Sequence, residues 1–406
     1  MSPPRMPPDL LPPLTPAEYL RYGRQISLPA FGEEGQRRLR ASRVLLIGAG
    51  GLGSPAAIYL AAAGVGSLTI VDFDRVEISN LHRQPLFGES AVGSAKVDAA
   101  RARLSDLNPH VQIEVVNDKL LSQNALELVA ASDVVVDGSD NFPTRYLVND
   151  ACVLTGRPNV YASVLRFDGQ LSVLATPDGP CYRCLFPEPP PPGTVPSCAE
   201  AGVLGVLPGL MGTMQALEAI KLLSGVGSAA IGRLLLVDAL RLEFRAIAVR
   251  RDPACPACGT RTLTGLVDYE DFCGIAGGST SGVEAVGDHA AGDDGAREWD
   301  GVRELQPAEL AARLAAGASL AVIDVRESWE WNIGHLDGAR HIPLGTFAQA
   351  AATLDRTQET VVYCHHGVRS LAAASFLAEQ GFTRLWNLSG GIDRYAIEAD
   401  PSMPRY

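Results

Sequence analysis

The stretch Arg43–Asp72, RVLLIGAGGLGSPAAIYLAAAGVGSLTIVD, decides the fold. Arg43–Ile47 reads as a buried strand, with Val-Leu-Leu-Ile at its heart. Gly48, Gly50 and Gly53 follow as G-x-G-x-x-G, Ser54–Ala63 reads as a helix, and a second apolar strand, Leu68–Val71, ends on Asp72. A strand–glycine turn–helix–strand unit of this kind predicts an α/β domain with a mainly parallel, Rossmann-like sheet. The glycines let backbone N–H groups and a helix N-terminus approach phosphates. An acid about 20 residues past them is placed to accept a ribose hydroxyl. A tight turn without a ligand accounts for the glycines but not for Asp72.

The residues that follow narrow the nucleotide. After Asp72 come Asp74, Ser79, Asn80, Arg83 and Lys96. A further strand-like run, Val134–Val136, leads through Asp137 to Asp140 and Asn141, and Arg21 and Arg24 lie upstream. Arginines, a lysine and an acid around a glycine turn suit a triphosphate with magnesium: cations neutralise phosphate oxygens and a carboxylate holds the metal. Hydride transfer to a dinucleotide needs no such set.

The chain has 406 residues, which at roughly 150 per domain predicts two or three domains. Its net charge of −12 argues against nucleic acid as a partner, since phosphate backbones need a basic footprint. That charge is concentrated. Residues 268–300 hold nine acidic side chains and one basic, Arg297, so they carry −8 of the −12, together with the run Gly-Gly-Ser-Thr-Ser-Gly at 277–282. The segment reads as a solvated linker. The expected division is a flexible N-terminus at 1–16, a nucleotide domain at 17–267, the linker at 268–300 and a smaller α/β domain at 301–406. No apolar run approaches the ~18 residues of a membrane span. The Pro-rich start, 1–16, lacks the apolar core of a signal peptide. A cytoplasmic protein is expected.

In a reducing compartment, paired cysteines suggest metal or sulfur chemistry. Cys181-Tyr-Arg-Cys184 and Cys255-Pro-Ala-Cys258 are two Cys-x2-Cys knuckles whose four thiolates fit a tetrahedral zinc site. Cys198 follows the Pro-rich run 187–192, Cys152 reads as core, and Cys273 has no assigned role. In the second body, strand Leu320–Arg326 precedes Gly334-His335 and Ile342-Pro343, and strand Thr360–Tyr363 runs straight into Cys364-His-His-Gly-Val-Arg369 before a helix at 370–379. A cysteine between a strand and a helix N-terminus sits among backbone N–H groups that lower a thiolate's pKa, with Arg369 adding positive charge. Such a loop also stabilises a persulfide anion.

These motifs together resemble two families. Arg21 to about Gly259, with Arg-Tyr-x-Arg-Gln-Ile, Gly-x-Gly-Gly-Leu-Gly, Asp-x-Asp-x-Val-x-x-Ser-Asn-Leu-x-Arg-Gln and the Gly-x-x-Lys lysine, is similar to the ubiquitin-activating-like adenylyltransferases that activate sulfur carriers for molybdopterin synthase and thiazole formation. Val302–Arg394, with Asp-Val-Arg, Gly-His-x-x-Gly-Ala and Cys-x4-Arg, resembles the single-domain rhodaneses. The resemblance implies that Asp72 holds the ribose, Gly51 lies in the phosphate loop, Arg83 and Lys96 grip phosphates with Asn80 nearby, and Asp140 binds Mg2+. It implies that Arg24 reaches the γ-phosphate from the other subunit of a homodimer, and that the two knuckles hold Zn2+. For Cys198 it implies either a thioester or disulfide with the activated carrier, or an idle thiol. The implied reaction is ATP-dependent adenylation of a small ubiquitin-like sulfur-carrier protein ending Gly-Gly. Sulfur transfer from a Cys364 persulfide follows, loaded by a cysteine desulfurase or thiosulfate. A protein-conjugating activator and a non-catalytic carrier scaffold are the competing readings. The effect of His365 and His366 on donor preference is left open by the motif.

Overall fold

The computed structural model describes residues 7, 10–191, 202–273, 298–299 and 301–405. The chain divides into two compact units between Val283 and Glu284. The first unit contains α1 (Pro16–Ile26), α2 (Gly32–Arg40), β1 (Arg43–Ile47), α3 (Gly53–Ala63), β2 (Ser67–Val71), α4 (Lys96–Leu107), β3 (Gln112–Val116), α5 (Ala125–Ala130), β4 (Val134–Asp137) and α6 (Phe142–Thr155). It continues with β5 (Asn159–Leu165), β6 (Asp168–Leu174), α7 (Tyr182–Leu185), α8 (Val206–Ser224), β7 (Arg233–Asp238), β8 (Glu243–Ala248) and α9 (Tyr269–Phe272).

The expected Rossmann-like sheet is present, in the order β3-β2-β1-β4-β5-β6-β7-β8. Strands β3 to β5 are parallel. β6, β7 and β8 then extend the sheet antiparallel, ending at an edge strand whose six residues are all exposed. The apolar run of β1 is buried on both faces, as a central parallel strand requires. Chain order reverses at β1: β2 and β3 lie to one side, and the chain then returns to place β4 on the other. A crevice opens at the carboxyl ends of the strands at such a switch point.

Two glycines make the turn there. Gly48 has φ +82°, and a Cβ on Gly53 would meet the Gly48 carbonyl oxygen at 1.8 Å. Only glycine lets α3 begin so close to the end of β1. Helix α3 is apolar nearly all round and packs against α8. Leu60 on α3 and Leu68 and Ile70 on β2 are fully buried, each contributing about 1.5–3 kcal/mol of transfer free energy.

The described residues at the two ends of the segment expected to be a linker, 268–273 and 298–299, are structured. Tyr269 and Cys273 are buried and α9 packs on α6, so residues 268–273 belong to the first unit's packing, because an aromatic pair, Tyr269 and Phe272, outweighs the acidic composition around it. At the other end, β9 (Glu298–Trp299) pairs with β10 (Val302–Leu305).

The second unit adds α10 (Pro307–Ala315), β11 (Ala321–Asp324), α11 (Ser328–Ile333), β12 (Arg340–His341), α12 (Leu344–Ala351), β13 (Thr360–Tyr363), α13 (Val368–Glu379), β14 (Leu385–Leu388) and α14 (Gly391–Glu398). Its sheet order is β12-β11-β13-β14-β10-β9, parallel except for β9. Strand β13 is completely buried and delivers Cys364 at its carboxyl end. Helix α13 starts two residues earlier than the sequence suggests, because Gly367 at φ +95° turns the loop directly into it.

Candidate functional site

The crevice in the first unit is a cavity of about 990 Å³. Its walls include Gly48, Gly50, Gly51, Asp72, Asp74, Asn80, Arg83, Lys96, Asp140 and Asn141. Residues from the ends of β1, β2 and β4 and from the start of α4 therefore meet in one place. Asp72 is held by the turn it serves: its Oδ2 accepts from the Ala49 N–H at 2.7 Å and its Oδ1 from the Asp74 N–H at 2.8 Å. Lys96 Nζ lies 2.8 Å from Asp74 Oδ2, with the lysine buried and the aspartate half exposed. Arg83 donates to the Ser79 carbonyl at 2.8 Å, so Ser79 stands behind the wall and orients the arginine. Asn141 caps α6, accepting from the Thr144 N–H at 2.9 Å, while its neighbour Asp140 is exposed on the wall. Gly53 lies behind the wall at the start of α3. Arg24 is exposed on α1 and is not among the residues lining this chain's cavity.

Three contributors escape sequence reading. Arg145, on α6, is buried yet lines the cavity, with its guanidinium over the rings of Phe142 and Tyr161. Asp137, behind the wall, is 1% exposed. Burial raises its carboxyl pKa above the usual range, although Ser139 donates to Oδ1 from both its hydroxyl and its N–H. Residues Leu266–Glu270 form another wall, pinned by the Ser122 hydroxyl on the Val267 carbonyl at 2.6 Å. Asp137 ends a recognisable strand, but nothing in its local pattern marks it off from a core position. Cations, exposed carboxylates and backbone N–H groups around one glycine turn can bind a nucleotide triphosphate and offset charge developing on its phosphates.

The two knuckles also converge. Sγ–Sγ distances are 3.5 Å for Cys181–Cys255, 3.3 Å for Cys184–Cys258 and 3.9 Å for Cys181–Cys184. All four thiols are free. A tetrahedral metal with bonds of about 2.3 Å to sulfur has sulfur–sulfur edges of about 3.8 Å, so the four thiols fit zinc. Burial raises the Cys184 thiol pKa, and the Asp252 N–H, 3.4 Å from its Sγ, opposes that shift. Cys152 is fully buried in α6, its thiol pushed well up by burial, as a core cysteine should be. Cys198 lies outside the described residues.

An ionic knot joins the first knuckle to α6 and α9. Asp150, fully buried, takes Arg183 bidentately at 2.9 and 2.7 Å and the Tyr269 hydroxyl at 2.6 Å. Asn149 accepts the Tyr182 N–H at 2.7 Å. Asp150→Ala is expected to lower unfolding free energy by about 3–5 kcal/mol, because it strands the Arg183 charge in the interior. Urea denaturation checks this. Adding Arg183→Leu should recover part of the loss, and a purely additive double mutant would refute the pairing.

In the second unit Cys364 is 1% exposed. The Gly367 N–H donates to its Sγ at 3.1 Å, and Ser370 Oγ lies 3.4 Å from it. Arg369 was expected to supply positive charge to this loop. Its Nη1 and Nη2 both lie 2.7 Å from the carboxylate of Glu330, which is buried on α11. Glu330 is a residue the sequence reading missed; the signal was its place three residues after Glu327, with which it forms a capping box. His365 stacks on exposed His366 with ring centroids 4.0 Å apart. Burial, then the neighbouring His366, lowers the His365 pKa to about 4.

The ThiF family matches residues 22–257 and the rhodanese-like domain matches residues 306–398. The chain is 44% identical over 399 residues to a probable adenylyltransferase/sulfurtransferase, MoeZ, of Mycobacterium tuberculosis, covering 97% of this chain and 96% of that protein. It is 55% identical over 267 residues to a sulfur carrier protein adenylyltransferase of Thermus thermophilus, covering 64% of this chain and 98% of that one. The crystal structure of Escherichia coli MccB shares the fold, with a TM-score of 0.54 at 21% identity over 59% of this chain and 72% of that one.

Proposed function

From the premise that the chain belongs to the ThiF family and carries a rhodanese-like domain, we propose that it adenylates a sulfur-carrier protein and then transfers sulfur to it. The carrier is a small ubiquitin-like protein ending Gly-Gly. The observation that carries this reading is one cavity uniting the glycine turn with Asp72, Arg83, Lys96 and Asp140, in a chain that also presents Cys364 in a sulfur loop.

In the first half-reaction ATP lies across the turn, with Asp72 on the ribose and the Gly50–Gly51 backbone, Arg83 and Lys96 on the phosphates. Asp140, exposed on the wall, would hold Mg2+, which supplies charge neutralisation to the departing pyrophosphate. The carrier's terminal carboxylate attacks the α-phosphorus and pyrophosphate leaves. The acceleration comes from positioning and electrostatics, so no side-chain nucleophile is needed. Arg24 acts on the γ-phosphate of a second copy's ATP in a homodimer, which accounts for its exposure outside its own chain's cavity. The four cysteines would hold Zn2+ as a structural staple.

In the second half-reaction the Cys364 persulfide anion attacks the carrier's acyl carbon and AMP leaves. The product is an acyl persulfide, carrier–C(O)–S–S–Cys364. A second thiolate, assigned to Cys198, attacks the Cys364 sulfur, releasing the carrier thiocarboxylate and leaving a Cys198–Cys364 disulfide for an external dithiol to reduce. Chemistry built on free thiols belongs in a reducing compartment, the cytoplasm. Among the described residues no helix is long and apolar enough to cross a membrane.

With ATP, Mg2+ and a Gly-Gly carrier, the chain is expected to catalyse ATP–pyrophosphate exchange. Adding a sulfur donor should then shift the carrier's mass by one sulfur-for-oxygen replacement. No exchange with any Gly-Gly carrier of the source organism would overturn the reading.

A further inference from the structure

We propose that His365, His366 and Asp393 form a binding site for a divalent transition-metal ion such as zinc, separate from the four cysteines of the first unit. Metal binding there does not require Cys364 to carry sulfur. An imidazole nitrogen from each histidine and a carboxylate oxygen of Asp393 all lie within 4.8 Å of one another. Among the described residues, only the four cysteines also gather three or more such ligand atoms so closely. The backbone brings the three side chains together. His365 and His366 directly follow Cys364 at the carboxyl end of β13. Helix α14 begins against them: the Ile392 N–H donates to the Cys364 carbonyl at 2.9 Å, and the Asp393 N–H to the His365 carbonyl at 3.1 Å. Gly391, at φ +64°, permits this approach, since a Cβ there would meet the His365 carbonyl oxygen at 2.2 Å. Half-buried His365 and Asp393 are thus tied to each other through their backbones, while His366 is exposed and can turn.

The donor set selects the ion. Two imidazoles and a carboxylate suit borderline ions such as zinc, whereas magnesium prefers a shell of oxygens. Ligation needs a neutral imidazole. Burial, then the neighbouring His366, lowers the His365 pKa to about 4, so its lone pair is free of a proton at neutral pH. Tetrahedral zinc with bonds of about 2.0–2.1 Å to nitrogen and oxygen sets its donors about 3.4 Å apart. The three donor atoms must therefore close from at most 4.8 Å. The two rings stack with centroids 4.0 Å apart and 16° between their planes, so their lone pairs run side by side. Turning the exposed His366 ring converges them on one point. Asp393 pairs with Arg405, whose Nε lies 2.9 Å from Oδ1 and whose Nη2 lies 3.4 Å from Oδ2. Arg405 is more than half exposed, and an ion pair of that kind holds its carboxylate only weakly against a divalent ion. Three protein ligands leave a fourth position to water, the composition of an open rather than a closed zinc site.

Equilibrium dialysis of the full-length, tag-free protein against buffered micromolar zinc, followed by metal analysis, tests this. The wild type is expected to hold about one more zinc per chain than either His366→Ala or Asp393→Asn. His366 is exposed, and Asp393→Asn keeps the side chain's shape while removing its charge, so neither change should disturb the fold. The number is read as a difference between proteins and so does not depend on what the four cysteines hold. Equal zinc in the wild type and both variants would overturn the proposal. Cys364→Ala should keep the extra zinc; losing it there would assign the ion to the thiolate and also overturn the site. The wild-type protein gives an independent reading should a variant not fold. In protein labelled with 15N in its histidine rings, zinc should shift the signals of His365 and His366. Those of His335 and His341, which stack on Trp331, should stay in place. Shifts confined to other histidines would refute the assignment.

Discussion

Cys364→Ala is expected to lower sulfur transfer from any donor by on the order of 10³-fold or more, while ATP–pyrophosphate exchange continues at the wild-type rate. On the proposed reading the Cys364 thiolate carries the sulfane sulfur, and neither neighbour in the loop can replace it. The histidines at 365 and 366 form no stable persulfide, and the Ser370 hydroxyl has far too high a pKa to act as a thiolate does. The fold should survive the change. The side chain is small, its polar partners are one N–H and one hydroxyl that also reaches Asn387 Oδ1 at 2.6 Å, and the lost sulfur leaves a small cavity costing about 1–2 kcal/mol. Transfer of labelled sulfane sulfur to the protein, read beside the exchange assay on the same preparation, checks both halves. Parallel loss of exchange would contradict chemistry divided between the two units.

Asp140→Ala is expected to do the reverse. Exchange should fall by about 10²–10³-fold, the usual consequence of removing a group that holds charge-neutralising machinery against a phosphate, with loading of Cys364 untouched. Asp140 is exposed on the cavity wall, so stability should change by no more than about 0.5 kcal/mol. That separates it from Asp137, three residues earlier. Asp137 is fully enclosed, and its loss would disturb the end of β4 and the Ser139 turn. An Asp140→Ala protein that unfolds early would place the residue among the structural acids. One that exchanges normally would remove it from the site.

The part of this site that was legible from the chain alone is the part built within a few residues. The Gly48–Gly53 turn, Asp72 at the end of the next strand, and Cys364 between a strand and a helix are local patterns: glycine stereochemistry, strand periodicity and helix N-termini dictate them whatever the rest of the chain does. The cysteine knuckles were legible for a related reason. A Cys-x2-Cys spacing presents two sulfurs to one point, although 70 residues separate the second pair from the first.

What the chain could not disclose were partnerships between distant positions. Arg369 could be read as a cation, but its neutralisation by Glu330, 39 residues earlier, depends on α11 and α13 meeting beside the end of β13. The acidic run after 268 read as linker, yet Tyr269 crosses 119 residues to bond Asp150, and this ties the segment to the first knuckle through Arg183. Arg145 lies on a helix whose sequence gives no sign that one arginine turns inward to the cavity. Local stereochemistry states which groups are present and which way their own element turns. Strand order and packing decide which charge meets which, and with that whether a charge is available to a substrate or already spent on a neighbour.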